Sequence, residues 1–526
     1  MKKFYPLSAL LAVFLGQAVH AEDLKLADIF TDHAVLQRGI AVPIWGWTEP
    51  GSKVAVNFAG QQHTATSDAS GKWQVKLDPM DASATGSELT VSSDGSSVAI
   101  SDVLVGEVWH ASGQSNMAGQ ASSRANRDHP RGQAALEAVQ NPSIRFCNLI
   151  MHPSGVPQED LPAELRQNDR RGEFQAWTPA SAETYSQCSA IALFFAKELQ
   201  SRLNVPVGII ATPKGGAMIE MFVPVETYKK LPSFHDGRLG RIEGQNKLDN
   251  FEVTSIYNSR FHPIVGYGIA GMIWYQGESN TRSDANDYAE KLSLMVGDLR
   301  ELWGQGDFPF YYVQLCAHGA DEKYNDLGWP IVQDQMRLAL EKIPNAGMAI
   351  TNDINGHHPT NKLDGGERLA AWALANTYKQ DIPHCGPLYA GHTVNGNQVT
   401  VTFNHSDSGL MLCDKEGLSL PVERPNETSK MFELAGEDET WHPAEAKLVG
   451  GTVELSSAAV PNPKHVRYAF RESLSGPRVY NRDGFPMSTF TSQLLESDLA
   501  AQTHYLKHIH RKRLEEKRGG NTDPNK

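Results

Sequence analysis

The side chains needed for acyl transfer all occur in this chain at turns. Ser115 lies in "VWHASGQSNMAGQ", directly after an apolar run, with Gly113 permitting a tight bend before it. Far downstream, "ITNDINGHHPTNKLDGG" supplies Asp353, His357 and His358. A histidine beside a serine hydroxyl can take its proton as general base and return it to a leaving alcohol, while a carboxylate orients the ring. Between these segments lie two further polar turns. In "PKGGAMIE", Gly215 and Gly216 let the backbone approach a ligand, and in "IWYQGESN", Gln276 and Asn280 offer side-chain N–H groups around Gly277 and Glu278. N–H groups aimed at one point can hold an oxyanion. Each feature also has a plainer reading. Ser-Asn is ordinary capping chemistry, a Gly pair is an ordinary turn, and Glu278 is an ordinary loop carboxylate. Asp353, His357 and His358 could instead ligate a metal, but adjacent side chains rarely converge on one ion and no further ligand cluster accompanies them.

The elements that must position these residues follow from periodicity. From about residue 23 to 105, short apolar runs such as "AVPIWGWTEPGSKVAVNFAG", "GKWQVKLD" and "SELTVSSDG" alternate with turn residues, which predicts a small β-domain over 22–105. From 106 to 383 the pattern changes. "DVLVGEVWHA", "VPVGIIAT", "GIAGMIWYQ", "FPFYYVQLC" and "AGMAITND" read as buried parallel strands, with "AIALFFAKELQSRL", "DYAEKLSLMVGDLRELW", "VQDQMRLALEKI" and "ERLAAWALANTY" as amphipathic helices between them. This is an α/β pattern: an open parallel sheet with helices on both faces, whose ligands bind at the carboxyl ends of the strands. Ser115, the Gly pair, "QGESN" and the His-His loop all fall at such ends. The stretch 384–495 returns to strand and turn signals, and 496–526 reads as a basic helical tail ending in a disordered Gly/Asn/Pro stretch.

Composition narrows the classes. The formal charge of -13 disfavours nonspecific nucleic-acid binding, and no internal stretch reaches the ~20 apolar residues of a membrane span. Lys2 and Lys3 before the apolar run Leu7–Val19, with Ala18 and Ala21 after it, read as an export signal over 1–21, with the mature chain starting near Glu22. With no cysteine there to carry a lipid, the expected destination is the periplasm or the outside. The five cysteines are too scattered for a zinc pattern and allow at most two disulfides.

Taken together, these motifs resemble the sialate O-acetylesterases and related carbohydrate acetylesterases of the SGNH hydrolase superfamily. "SGQSNM" resembles the nucleophile block, the glycines at 215–216 the glycine block, "WYQGESN" the most specific signature and "HPTNK" the histidine block; "AVLQRG", "PNPKHVRYAF" and "YNRDGFP" match as well. The resemblance implies a flavodoxin-like three-layer sheet with flanking N- and C-terminal β-domains, and a Ser115 nucleophile with His358 as base. It further implies an oxyanion hole of the Ser115 N–H, Gly216 and the Gln276 amide, with Gln114, Asn116, Glu278 and Asn280 toward the substrate. The implied substrate is an acetylated sugar or glycan, sialate first and acetylated xylan or xyloglucan second, and no metal or organic cofactor is required. Relatives place an orienting aspartate three residues before the histidine, where this chain has Asn355, so either Asp353 reaches His358 or the site is a Ser-His dyad. A rival of another class is a carbohydrate-binding protein whose β-regions hold glycan without turnover. The sequence carries no sign of oligomeric state.

Overall fold

The computed structural model describes residues 24–121, 124–161, 174–318 and 326–519; the expected export signal lies outside them. Strand β1 (Ser96–Gly113) organises the molecule. Its first residues alternate between exposed and buried, whereas from Val103 onward every residue is buried. Continuous burial is what a strand covered on both faces requires. The first half pairs antiparallel with Ser83–Ser93 and parallel with Val35–Gln37, both from the N-terminal region. The second half is the centre of the α/β sheet. The expected boundary at residue 105 therefore falls inside one continuous strand.

After β1 come α1 (Ser115–Ala118), β2 (Ile144–Leu149), β3 (Phe174–Pro179), α2 (Ala190–Leu203), β4 (Val207–Ala211), β5 (Gly271–Tyr275), α3 (Tyr288–Trp303), β6 (Phe310–Val313), α4 (Gly328–Lys342), β7 (Ala346–Ala349) and α5 (Leu363–Trp372). The sheet runs β3-β2-β4-β1-β5-β6-β7. All neighbours are parallel except edge strand β3, which is antiparallel to β2. The five strands β4-β1-β5-β6-β7 follow chain order 2-1-3-4-5, so the connections change direction beside β1, where doubly wound sheets leave a crevice for ligand. α2 shows how the sequence sets its own limits. The Ser189 hydroxyl accepts from the Ala192 N–H at 3.3 Å at its start, and Asn204 closes it in the left-handed conformation.

The residues after 383 form three small sheets: a four-stranded one (Leu388–Asn395, Gln398–Asn404, Thr452–Ser456, Glu445–Val449), a three-stranded one around Leu410–Asp414 and Arg478–Asn481, and a four-stranded one around Phe432–Ala435 and His465–Tyr468. They share a core of Val399, Leu412, Phe432, Val466, Tyr468 and Phe490, into which Ala317 from the loop after β6 also packs. The tail is a helix, α6 (Glu496–Gly519), and its first turns are docked. Arg467 pairs with Asp498 at 3.0 Å, and Gln502 Oε1 accepts from the Gly328 N–H at 2.9 Å. All five cysteines are free and buried, so neither of the two disulfides that the count allowed is present. Among the described residues no helix is long and apolar enough to cross a membrane.

Candidate active site

The turn bearing Ser115 is shaped by close backbone packing. Gly113 adopts φ +139, and a methyl there would lie 2.0 Å from Tyr275 O. Only glycine fits, and the chain bends directly beneath Ser115. Ser115 is half-buried, with His358 Nε2 2.7 Å from its Oγ, an ordinary hydrogen-bond length. His358 rides on the loop after β7, so the sheet brings together two residues 243 positions apart. Asn116 ties their neighbours. Its Nδ2 donates to His357 O at 3.1 Å and to Glu278 Oε1 at 2.5 Å, and its Oδ1 accepts from Lys362 Nζ at 2.5 Å. Gly215 borders the serine, since a methyl on it would lie 3.8 Å from Ser115 Cβ, and Gly216 takes the left-handed φ of +72 with open space around it.

The amide-rich turn is placed differently from expectation. Gln276 is fully buried. Its Nε2 faces Gln114 Oε1 (3.2 Å), Ala217 O (3.1 Å) and Asn280 Oδ1 (2.8 Å), while its Oε1 accepts from Tyr288 OH at 2.8 Å. An amide engaged at both ends holds no oxyanion, so Gln276 belongs to the scaffold. Asn280 is likewise buried, accepting from the Ile219 N–H and donating to Glu220. Gln114, Asn116 and Glu278 are each at most 5% exposed, and all three bond internally. These four residues are buried and bonded internally, and they lock the turns after β1, β4 and β5 to one another.

Asp353 is also displaced from its expected partner. Its two oxygens face Arg368 Nη1 and Nη2, each at 2.7 Å, and Tyr480 OH donates to Oδ2 at 2.7 Å. Among the described residues it makes no hydrogen bond to His358. A carboxylate in a bidentate guanidinium grip is satisfied, and it anchors the loop rather than the ring. Sequence reasoning missed Arg368 and Tyr480. Arg368 sits within "GGERLA" as an apparent helix-surface residue, and Tyr480 lies in another sheet; no local signal links either to the loop.

A profile for the family "Carbohydrate esterase, sialic acid-specific acetylesterase" matches residues 105–374, just over half of the chain. This chain belongs to that family. Sialate O-acetylesterases of Mus musculus and Homo sapiens are each 26% identical to the esterase, covering 69% of it and 75% and 73% of their own lengths. A carbohydrate acetylesterase from Xanthomonas citri superposes with a TM-score of 0.77 at 30% identity, over 90% of this chain and 100% of that one. The protein is therefore a carboxylic ester hydrolase.

Electrostatics at the esterase site favour a neutral imidazole. Partial burial, and then the Lys362 cation, hold the pKa of His358 below the ordinary histidine value of 6.5. His357 packs edge-on against His358 with centroids 4.5 Å apart and backs onto His318 and Trp329. Its pKa is pushed down to about 4 by burial and by the like charges of His358, His318, Arg282 and Lys362. Burial pushes Lys362 down to about 8 and pushes Glu278 up, and Glu278 Oε2 has no hydrogen-bond partner. Among the described residues no group of acidic, histidine or cysteine side chains could hold a metal.

Two outcomes follow for the esterase. A base acts when unprotonated, so the acidic limb of kcat/KM falls below pH 6.5, and Lys362→Met, which removes the repelling cation, moves that limb upward; a pH–rate profile of both proteins reads this directly. Asp353→Asn leaves a buried guanidinium without its counter-ion. The expected loss is roughly 3–5 kcal/mol of stability in thermal or urea unfolding, with a kcat decrease well short of the ~10⁴ that follows loss of a triad carboxylate.

Proposed function

We propose that the esterase removes O-acetyl groups from sialic acid by a Ser115–His358 mechanism on an SGNH-type, flavodoxin-like sheet. The observation that carries the reading is the 2.7 Å contact between His358 Nε2 and Ser115 Oγ. The Oγ proton passes to Nε2 as Oγ attacks the acetyl carbonyl carbon. The resulting oxyanion is met by the N–H groups of Ser115 and Gly216, neither of which is engaged by another group among the described residues. The intermediate then collapses: the bond to the sugar oxygen breaks, and the proton on Nε2 goes to the departing hydroxyl. Water repeats the sequence on the acetyl-enzyme, giving its proton to Nε2 and releasing acetate and free Ser115. Because Asp353 is held by Arg368 and Tyr480, the reading is of a dyad, with the His358 ring set by its loop and by His357.

The family description and the curated relatives support sialate as the sugar. The Xanthomonas citri protein, described more broadly as a carbohydrate acetylesterase, supports acetylated plant polysaccharide as the second reading. Acetate release measured side by side on O-acetylated sialic acid and acetylated xylan decides between them, the expected outcome being faster release from sialate. Ser115→Ala lowers either rate by on the order of 10⁴-fold or more, and a variant that kept its rate would leave the mechanism without a nucleophile.

The charged start, short apolar run and small residues before Glu22 support export to the periplasm or beyond. N-terminal sequencing of protein recovered from its native cells is expected to begin near Glu22, and a chain retaining Lys2 and Lys3 would remove the basis for it.

A further inference from the structure

The turn after β4 carries Lys214, a cation with no ion-pair partner among the described residues. The Lys214 N–H donates to Gly113 O at 2.8 Å, which fixes residue 214 beside the bend two positions before Ser115. Its neighbour Gly215 borders Ser115 itself. Lys214 is partly buried, and its Nζ lies 4.3 Å from the centroid of Phe251. A second cation, Arg260, stands 5.4 Å from the same ring. Arg260 is buried and donates to Pro213 O and, at 2.8 Å, to Met151 O, which holds the backbone immediately before Lys214. Glu252, the carboxylate next to Phe251, faces Arg241 at 3.9 Å instead. Among the described residues Lys214 makes no ion pair. Burial, then repulsion by Arg260, lowers its pKa from the lysine value, where a neighbouring carboxylate would raise it.

A partly desolvated ammonium on an aromatic face, carried by a turn whose backbone borders the reacting serine, is complementary to an anion. A four-carbon stem carrying a point charge can follow a carboxylate without demanding one fixed geometry. We propose that Lys214 is a specificity-determining residue, pairing with the carboxylate of an acidic sugar while that sugar's acetyl ester lies on Ser115. This rests on the sialate reading above and deepens it. Sialic acid carries a carboxylate on the ring, whereas the pentose backbone of xylan carries none.

The test uses the full chain and two probes, O-acetylated sialic acid with its free carboxylate and the same compound with that carboxylate converted to the primary amide. The quantity read is the ratio of kcat/KM on acid to that on amide, which cancels any loss of active protein. Wild type is expected to favour the acid by about 10- to 100-fold, the scale of one hydrogen bond to a charged group. Lys214→Met is expected to bring the ratio to near unity, through KM, and Lys214→Arg to restore most of it. An unchanged ratio in Lys214→Met, with wild type cleaving the acid readily, overturns the role of Lys214 and leaves the sialate reading standing. Release from acetylated xylan with none from the sialate acid overturns both.

Discussion

Asn116 is where the meeting of Ser115 and His358 is held together. One buried amide joins three chain segments: the turn of Ser115, the loop of His358 through His357 O, and the turn after β5 through Glu278, with Lys362 making the third hydrogen bond. The amide has to be dry to do this. In a low-dielectric interior each of these bonds is stronger than in water, and each unpaired group is expensive, so the arrangement admits few alternatives. Glu278 Oε2 is the one orphan in the cluster, and the buried Lys362 cation beside it offsets that burden electrostatically.

The loop carrying His358 is held at both ends by the region after residue 383, while its middle is exposed. Asn352 Nδ2 donates to Met487 O and Thr489 Oγ1, Tyr480 donates to Asp353, Asn361 donates to Gly417 O at 2.8 Å, and Lys415 pairs with Asp364 at 2.6 Å. The C-terminal β-region is therefore a buttress of the His358 loop, and its contacts there give it work that a detachable sugar-binding module would not have. Among the described residues no carboxylate bonds the His358 ring, and its position follows from its loop and from the His357 ring packed against it.

Much of this was legible in advance, and the failures share a cause. The strands at Val207–Ala211, Gly271–Tyr275, Phe310–Val313 and Ala346–Ala349 follow from continuous apolar runs, and Ala190–Leu203 coincides with its helical repeat, because burial on one or both faces leaves a local periodic trace. The meeting of Ser115 and His358 followed from their common place at strand ends. The internal partners of Gln276, Asn280 and Asp353 were not legible, because a polar residue near a site reads alike whether it faces solvent or props a neighbour. Only the partner decides, and the partners Tyr288, Glu220, Arg368 and Tyr480 come from elsewhere in the chain. Likewise, the edge strand Phe174–Pro179 follows a polar stretch with no alternation to mark it.

The eighteen residues of β1 carry one further implication. Half of the strand's ladder lies in the N-terminal sheet and half in the catalytic one, and the strand runs on through a local irregularity at Asp102, whose φ is +52. Opening the outer half would fray the register that seats Gly113 against Tyr275. The two regions should thus melt as one foldon, and an insertion or circular permutation near residue 105 would sever the catalytic turn from its anchor, although the sequence marks that point as a domain border.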